Sequence, residues 1–387
     1  LEETYVLPPP DQYRSRTDAR YPLLKVPVAP TSKPEKPLNV VIILMESVRL
    51  LELGLERSDP AAPTLSRLAK ESLYFTRFYA NTHQTVRGEF TTLCGAYSNY
   101  GGGQEYSMFP DLGIACLPSI LKDQGYQTWW ISNYHANYAN KRAFHEAHGI
   151  DNFADVEGLK KRRLKAPLVG WGPSDEDLAD YAVEKLNGAR APFFAEIMTL
   201  SNHHPFVGPF DVERIPAVED STESRLYKNY VAGTQYTDKA LGKFFEKARK
   251  RPWFDDTVFI ILGDHSVWLF PESGARRLTP AEQIEVYHRT PLIMFSPKHL
   301  KAERNNTLGS QMDLAPTVLD MLGIRAPNAF EGVSLLADVP HARRKVMMGN
   351  ESGWSIRQGD QHCYLTGTEC FDYFPPVCPP GYERKRA

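Results

Sequence analysis

The stretch NVVIILMES, residues 39–47, decides the fold of this chain. After Asn39 it is a continuous apolar run rich in β-branched residues, which is typical of a parallel strand that is buried on both faces. The run ends at Glu46, where an uncompensated buried carboxylate is costly. A bound cation would compensate that charge. The apolar run therefore predicts a buried strand, and the carboxylate at its end predicts a cation-binding site.

Short apolar runs alternate with amphipathic helical patterns along the following 280 or so residues. The further predicted strands are QTWWIS, PFFAEIMTL, DTVFIILGD and PLIMFSP. The predicted helices are APTLSRLAKESLYF, in which Leu73 continues the helical spacing, SDEDLADYAVEKLNG between Ser174 and Gly188, YVAGTQYTDKALGKFFEKARK and SQMDLAPTVLDMLG. Such alternation predicts an α/β fold with a doubly wound, mainly parallel central sheet and helices on both faces.

The chain divides into three parts by composition. Residues 1–38 are Pro-rich, which predicts a semi-rigid linker. Residues 39–340 carry the strand and helix patterns and form the expected catalytic domain. Residues 341–387 hold three of the five cysteines and are expected to pack on the core as a Cys-rich tail. No apolar run in the 387 residues approaches the about 20 residues that a bilayer span needs.

Charge and cysteine content limit the function classes. The net charge of −2 gives no footprint for nucleic acid, so no nucleic-acid partner is expected. The cysteines lack CxxC spacing, and the three in the tail favour a disulfide-stapled end in an oxidising compartment. Reduced, buried cysteines in a cytosolic protein are the alternative.

Polar residues follow four of the predicted strands, at the point where each strand ends. The residues are Glu46, then Asp264 and His265, then 201–204 (SNHH), then 132–135 (SNYH). Ligands bind outside the carboxyl ends of parallel strands, so these side chains predict a site at one sheet edge. Glu46, Asp264 and His265 offer two oxygen donors and one nitrogen donor, a set that suits Mn²⁺ or Zn²⁺ better than Mg²⁺.

A second polar cluster is NTHQTVRGEFTTLCGAY, residues 81–97. We expect a helix to begin near Gly88, with free N–H groups that favour phosphate. Thr85 precedes that helix, so its hydroxyl is a candidate nucleophile, whereas a simple helix cap is the alternative. Thr91 and Thr92 are expected to lie inside the helix.

These motifs, in this order, resemble the alkaline phosphatase/sulfatase superfamily, and more narrowly its lipoteichoic acid synthase-like phosphoglycerol transferases. The likeness covers about residues 39–335 and includes NVVIILMES, HQTVRGEFTTLCGAY, SNHHPF, GDHSVW and DLAPTVLDMLGI. It implies a metal site of Glu46, Thr85, Asp264 and His265, and catalytic roles for Thr85 as nucleophile and His203 at the phosphate. The substrate ligands that it implies are Arg87, Asn140, Lys141 and His204. His204 is also the alternative to His203 as the residue that contacts the transferred phosphate.

The resemblance also implies an activity and its setting. The expected reaction is transfer of phosphoglycerol from phosphatidylglycerol to a glycan hydroxyl through a covalent Thr85 intermediate. One divalent metal is expected, Mn²⁺ before Zn²⁺ or Mg²⁺. The implied partners are a phospholipid donor and a glycan acceptor. The implied protein is a monomeric catalytic domain of the cell envelope, held to the inner membrane by an N-terminal anchor outside this sequence.

The chain departs from that family at two places. Ala139 and Lys141 stand where an aromatic residue and an arginine are expected, and lysine cannot form the bidentate arginine fork. The cysteines resemble those of phosphoethanolamine transferases, so we predict a Cys94–Cys116 disulfide and a second bridge, best between Cys363 and Cys370. A phosphoethanolamine transferase acting on lipid A or glycan is therefore one alternative, and a phosphodiesterase or phosphatase another. The CxPxR context of true sulfatases is absent.

Overall fold

The structure, a computed structural model, describes residues 13–15, 24–29, 37–55, 60–98, 104–162, 164, 168–212, 222–265, 267, 269, 280–350, 353–366, 369–372 and 383–386. Its strands are β1 Tyr13–Ser15, β2 Lys25–Pro27, β3 Asn39–Met45, β4 Leu73–Tyr79, β5 Gln127–Ser132, β6 Asn152–Ala154, β7 Phe193–Met198, β8 Thr257–Gly263, β9 Leu292–Phe295, β10 Glu303–Ser310, β11 Lys345–Asn350, β12 Gly353–Gln358, β13 Gln361–Thr366, β14 Glu369–Asp372 and β15 Glu383–Arg386. Its α-helices are α1 Leu50–Leu53, α2 Pro63–Lys70, α3 Thr85–Cys94, α4 Glu105–Met108, α5 Leu117–Asp123, α6 Lys141–Ala147, α7 Val156–Lys160, α8 Asp175–Asn187, α9 Thr222–Ala248, α10 Pro280–His288 and α11 Leu314–Met321.

The central sheet has eight strands in the order β10-β4-β9-β8-β3-β7-β5-β6. Strand β9 runs antiparallel to β4 and β8, and the other neighbouring pairs are parallel. Strand β3, the stretch that opens the fold, lies between β8 and β7 in the middle of the sheet. The predicted doubly wound, mainly parallel sheet is therefore confirmed.

Both faces of the sheet are covered by helices, which explains the continuous apolar run of β3. Val40, Ile42 and Leu44 belong to one buried cluster, together with residues of α3, α5, α6 and α11. Val41 and Ile43 belong to a second cluster with residues of α2, α8 and α9. Successive side chains of a strand point to opposite faces, and both faces of β3 are covered. Apolar residues are therefore needed on both faces of the strand.

The predicted element boundaries are correct for some helices and wrong for others. Helix α8 has the predicted N-cap, since the Ser174 side chain accepts from the Asp177 N–H, and Gly188 ends it. The helix predicted over residues 62–75 is wrong beyond Lys70, because Leu73 begins β4 instead. The aromatic-rich LYFTRFY is a strand former, and its packing between β10 and β9 decides against the helical spacing.

The two ends of the chain also form strands. The 3-residue strands β1 and β2 pair antiparallel, and the Lys25 N–H bonds the Asn328 carbonyl at 2.8 Å. Strands β11–β15 form a separate five-stranded sheet. It contacts the core where the Asn81 side chain donates to the Met347 carbonyl at 2.7 Å. The boundaries at residues 38 and 340 stay predictions. No helix among the described residues has the length and apolar character to cross a membrane.

The predicted Cys94–Cys116 disulfide is present and joins the end of α3 to the start of α5. The second bridge stays a prediction: Cys363 is buried in β13, whereas the Cys370 side chain and Cys378 lie outside the described residues.

We expect Cys94→Ala/Cys116→Ala to lower the free energy of unfolding by about 3 kcal/mol, because the bridge closes a loop of 22 residues and restricts the unfolded chain. Urea unfolding of wild type and variant measures the difference. Reductant should shift the wild type toward the variant, and equal midpoints without reductant would contradict the prediction.

Candidate functional site

The candidate site lies where the two central strands β3 and β8 end together. Met45 is paired with Gly263 in register, so Glu46 and Asp264 emerge side by side. The Asp264 N–H bonds the Met45 carbonyl at 3.1 Å, and this continues the ladder by one step. The sequence places the carboxylates at the strand ends, and the parallel register makes them neighbours.

Glu46, Asp264 and His265 converge into one cluster. His265 Nε2 lies 3.2 Å from Glu46 Oε1 and 3.5 Å from Asp264 Oδ2. One ligand atom from each residue lies within 4.8 Å of the other two, and all three residues are buried. The structure thus brings together three of the four predicted metal ligands at liganding distance.

Thr85, the fourth predicted ligand, is the first residue of α3. Its Oγ1 donates to Glu46 Oε2 at 3.3 Å, so its hydroxyl reaches the carboxylate cluster. The helix begins one turn earlier than the expected start near Gly88. Gly88, inside α3, lies against the end of β8: a Cβ at this position would stand 1.9 Å from the Asp264 carbonyl oxygen. Only glycine lets α3 approach the end of β8 so closely.

The surrounding residues fix the orientation of the carboxylates. Ser47 has φ 58, a left-handed conformation that costs energy for a residue with a Cβ. In this conformation its N–H donates to Asp264 Oδ1 at 2.8 Å and its hydroxyl donates to Glu46 Oε1 at 2.7 Å. The Thr199 hydroxyl accepts from the Glu46 N–H at 2.9 Å. The strained conformation of Ser47 therefore lets this one residue donate hydrogen bonds to both acids.

The donor set fits a divalent cation. Asp264 Oδ2 is buried and accepts no hydrogen bond from the described residues. Burial, and then the neighbouring charge of Glu46, raise the pKa of Asp264. Burial would also raise the pKa of Glu46, but the hydrogen bond and charge of His265 outweigh it and lower that pKa. Two close carboxylates, one with an unsatisfied oxygen, are what a bound cation would compensate.

The other two strand ends mainly brace the site. Asp175 Oδ1 accepts from the Leu200 and Ser201 N–H groups at 2.9 and 3.1 Å, and from the Asn133 amide at 3.0 Å. The Asn202 side chain donates to the Glu46 carbonyl at 3.4 Å. The polar strand ends therefore share one edge of the sheet, as expected, and the hydrogen bonds of these residues hold the loops beside the carboxylate cluster.

His203 follows β7, which pairs in parallel with β3, so it lies at the same edge of the sheet as Glu46. Its Nδ1 lies 2.7 Å from the His204 carbonyl oxygen. A carbonyl only accepts, so Nδ1 carries the hydrogen in this contact. The His203 ring lies 4.1 Å from the Trp171 ring. His204 is exposed, with its ring 5.6 Å from Phe206.

The three remaining predicted substrate ligands lie in different surroundings. Arg87 is buried within α3. Asn140 is exposed, has φ 58 and donates to the Ser107 carbonyl at 3.2 Å. Lys141 is buried, and its Nζ contacts Glu89 Oε2 at 2.6 Å. Their substrate roles stay predictions, as do those of His203 and His204; Lys141 is engaged with an interior carboxylate.

Sequence reasoning missed the buried acid Glu89, four residues after Thr85 and so on the same side of α3. Glu89 Oε1 accepts from Trp130 Nε1 at 3.0 Å and lies 3.0 Å from His145 Nε2. Burial would raise its pKa, but the charges of Lys141 and His145 outweigh burial and lower it. The signal in the sequence is a lone acid in the apolar helical stretch EFTTLC.

A second carboxylate, Glu196 of β7, completes this interior cluster. Oxygens of Glu89 and Glu196 and a nitrogen of His145 lie within 4.8 Å of one another. Burial, and then the charge of Glu89, raise the pKa of Glu196 well above its ordinary value. The Lys141 ammonium lies 2.6 Å from Glu89 and compensates its charge, so this cluster contains a buried ion pair beside Glu196.

Comparison with protein families gives a match over most of the chain. The Sulfatase family model matches residues 38–324. The lipoteichoic acid synthase-like YvgJ of Bacillus subtilis is 25% identical over 298 residues, which is 74% of this chain and 47% of the relative. The lipoteichoic acid synthase of Staphylococcus aureus is 25% identical over 309 residues, or 76% and 46%. The chain therefore spans about half the length of these curated relatives.

Solved structures show the same fold. A protein of the alkaline phosphatase superfamily from Vibrio parahaemolyticus has a TM-score of 0.74 and 26% identity, and the match covers 92% of this chain and 83% of that one. The lipoteichoic acid synthase LtaP of Listeria monocytogenes has a TM-score of 0.69 at 22% identity, with 88% of each chain covered. The family model, matching well over half of the sequence, is decisive. The chain belongs to the sulfatase family of the alkaline phosphatase superfamily, whose enzymes transfer or hydrolyse phosphoryl or sulfuryl groups.

Proposed function

We propose that this chain is the catalytic domain of a metal-dependent transferase that moves phosphoglycerol from phosphatidylglycerol to a glycan hydroxyl. The observation that carries the proposal is the Thr85 hydroxyl, 3.3 Å from Glu46 Oε2 at the first turn of α3 and beside Asp264 and His265. A threonine here, without a CxPxR context, favours phosphoryl over sulfuryl chemistry. The relatives named lipoteichoic acid synthase support a transferase that acts on lipid and glycan substrates.

In the proposed reaction the chain acts by two displacements. Thr85 Oγ attacks the phosphorus, its proton leaves toward Glu46 Oε2, and the phosphorus–oxygen bond to diacylglycerol breaks. His203 enters this step with both ring nitrogens protonated, and its Nε2 donates a proton to the departing oxygen. An acceptor hydroxyl then attacks the phosphorus of the Thr85 phosphodiester and gives its proton to His203 Nε2. The phosphorus–Oγ bond breaks, and Thr85 Oγ takes back the proton held by Glu46. A divalent cation held by Glu46, Thr85, Asp264 and His265 would neutralise phosphoryl charge and lower the pKa of the Thr85 hydroxyl.

The setting proposed for the enzyme is the cell envelope. The proposal includes attachment to the inner membrane through a segment outside this sequence, a catalytic domain in the periplasm or outside the cell, and a monomeric state. The Cys94–Cys116 bridge supports an oxidising compartment. It also favours the second candidate, a phosphoethanolamine transferase.

Donor and acceptor assays test the proposal. We expect labelled phosphoglycerol to pass from phosphatidylglycerol to a glycan acceptor, with little product when the acceptor is left out. Equal turnover with and without acceptor would make the enzyme a phosphodiesterase. Turnover of phosphatidylethanolamine but not phosphatidylglycerol would select the second candidate.

Metal dependence is a separate expectation. Asp264→Ala should remove bound metal and reduce turnover by at least about 100-fold, because even changes to the outer partners of metal ligands cost 10- to 100-fold. Elemental analysis of the purified protein and turnover after chelation, then after return of Mn²⁺, measure this. Asp338→Ala, a change at an exposed acid, is the control. Metal content equal to the control would contradict the assignment.

A further inference from the structure

Exposed apolar side chains concentrate at the mouth of the candidate site. Among the described residues, nine large apolar side chains are strongly exposed. Six of the nine sit at the end of α4 or on turns and loops that contact one another, and we call these six the mouth rim: Met108, Phe109, Tyr138, Leu168, Trp171 and Val207. Their exposed fractions run from 47% to 63%. Exposed apolar residues scattered singly are normal, whereas a connected set marks an interaction site.

One side of the mouth rim is connected through Tyr134. The Asn140 side chain donates to the Ser107 carbonyl at 3.2 Å, which joins the end of α4 and its two rim residues to the turn that carries Tyr138. The Tyr138 and Tyr134 ring centroids are 5.3 Å apart. The Tyr134 centroid is 5.9 Å from that of Trp171.

The other side of the mouth rim reaches His203. The Trp171 ring lies 4.1 Å from the His203 ring. The turn 168–172 also packs on the loop after His203, since a Cβ added at Gly170 would stand 3.5 Å from the Val207 carbonyl oxygen. The mouth rim is therefore continuous with the residue proposed to act on the departing oxygen.

The composition of the mouth rim favours lipid over sugar. Leu168, Val207 and Met108 offer aliphatic surface without a flat ring on which a sugar could stack. Tyrosine and tryptophan are enriched at membrane–water interfaces, where an apolar ring with a polar edge fits. Rings together with exposed aliphatic side chains match a bilayer surface.

Basic residues flank the mouth rim. The first N–H of α7, at Val156, bonds the Tyr134 carbonyl at 3.2 Å. This five-residue helix ends at Lys160, and Lys161 follows; both lysines are exposed, and Lys160 Nζ also lies 3.7 Å from Glu157 Oε1, a surface pair that water screens. Lysines beside an apolar surface attract anionic headgroups, which the proposed donor carries.

We propose that the mouth rim docks on the surface of an anionic phospholipid bilayer and holds the candidate site over the headgroups. The donor headgroup then enters beside His203 while its acyl chains stay in the bilayer. This proposal rests on the proposed phospholipid donor for its purpose. Binding to a bilayer can nevertheless be measured without any turnover.

Sedimentation with vesicles tests the proposal. The probes are vesicles of phosphatidylcholine with or without phosphatidylglycerol, mixed with the 387-residue chain or with Leu168→Ser/Val207→Ser. We expect the variant to bind phosphatidylglycerol vesicles roughly 30-fold more weakly, because two apolar side chains no longer leave water. The matched control is Val28→Ser/Leu336→Ser, which changes two exposed apolar residues outside the mouth rim and should bind as the wild type does. Leu168→Trp should bind more tightly.

The outcomes separate this inference from the proposed function. Turnover of a short-chain, monomeric donor should be the same in wild type and Leu168→Ser/Val207→Ser, whereas turnover of vesicle-embedded donor should fall with binding. Rim-dependent vesicle binding without phosphoglycerol transfer would keep the inference and refute the proposed function. Equal vesicle binding by wild type and rim variant, or none by either, would overturn the inference. Loss of affinity for a soluble glycan alone would overturn it in favour of a sugar platform.

Discussion

Thr85→Ala should reduce turnover by about 10⁴-fold or more while leaving the fold intact, because removal of a covalent nucleophile costs a factor of this size. The change deletes a partly exposed hydroxyl whose described hydrogen bond is to Glu46, at 3.3 Å. No apolar packing of the core depends on that oxygen. Turnover of a phosphatidylglycerol donor measures activity, and thermal unfolding measures the fold.

Two neighbouring changes sharpen this result. Thr85→Ser should keep part of the activity, because a hydroxyl remains at the first turn of α3. Thr92→Ala in the same helix should be mild, since its buried Oγ1 has no hydrogen-bond partner among the described residues. Mass analysis of enzyme incubated with donor should find an adduct on the Thr85 peptide alone.

The adduct also identifies the group transferred, because phosphoglycerol and phosphoethanolamine add different masses to the same peptide. Full activity in Thr85→Ala would refute the covalent mechanism. Water would then be the best remaining nucleophile, and hydrolysis the better description of the reaction.

The sequence was sufficient to predict the sheet and its functional edge. After their first residue, NVVIILM and TVFIILG have no polar side chain, and this pattern is typical of strands buried on both faces. Glu46 and Asp264 interrupt them at corresponding ends, and parallel pairing makes such positions adjacent. The local apolar pattern predicts where each strand ends, and parallel pairing brings those ends together. The convergence of the two carboxylates could therefore be predicted from the sequence alone.

Two features could not be predicted because they depend on distant partners. Leu73 fits helical spacing, and only pairing of β4 with β9 and β10 makes it a strand residue. Lys141 was expected at the substrate, and its contact with Glu89, 52 positions earlier, carries no local signal. Pairing of buried charges depends on which interior surfaces meet, and spacing along the chain does not report that.

Glu89→Gln should lower the free energy of unfolding by about 3–5 kcal/mol, because it leaves the buried Lys141 ammonium without its compensating charge. The amide can keep the contact with Trp130 Nε1, so lost packing would not explain a loss of this size. Urea unfolding measures it. We expect turnover to fall as well, since Glu89 and Thr85 share α3 and movement of that helix displaces the hydroxyl from Glu46.

Glu196→Gln is the matched control for that change. Burial and the charge of Glu89 raise the Glu196 pKa well above its ordinary value, which favours the neutral carboxyl, so an amide of the same shape should replace it at small cost. Glu89→Gln/Lys141→Met should recover most of the stability, because both charges leave the interior together. Equal losses for Glu89→Gln and Glu196→Gln would show that the negative charge is shared between the two acids. No recovery in the double variant would show that Lys141 contributes through contacts other than its charge.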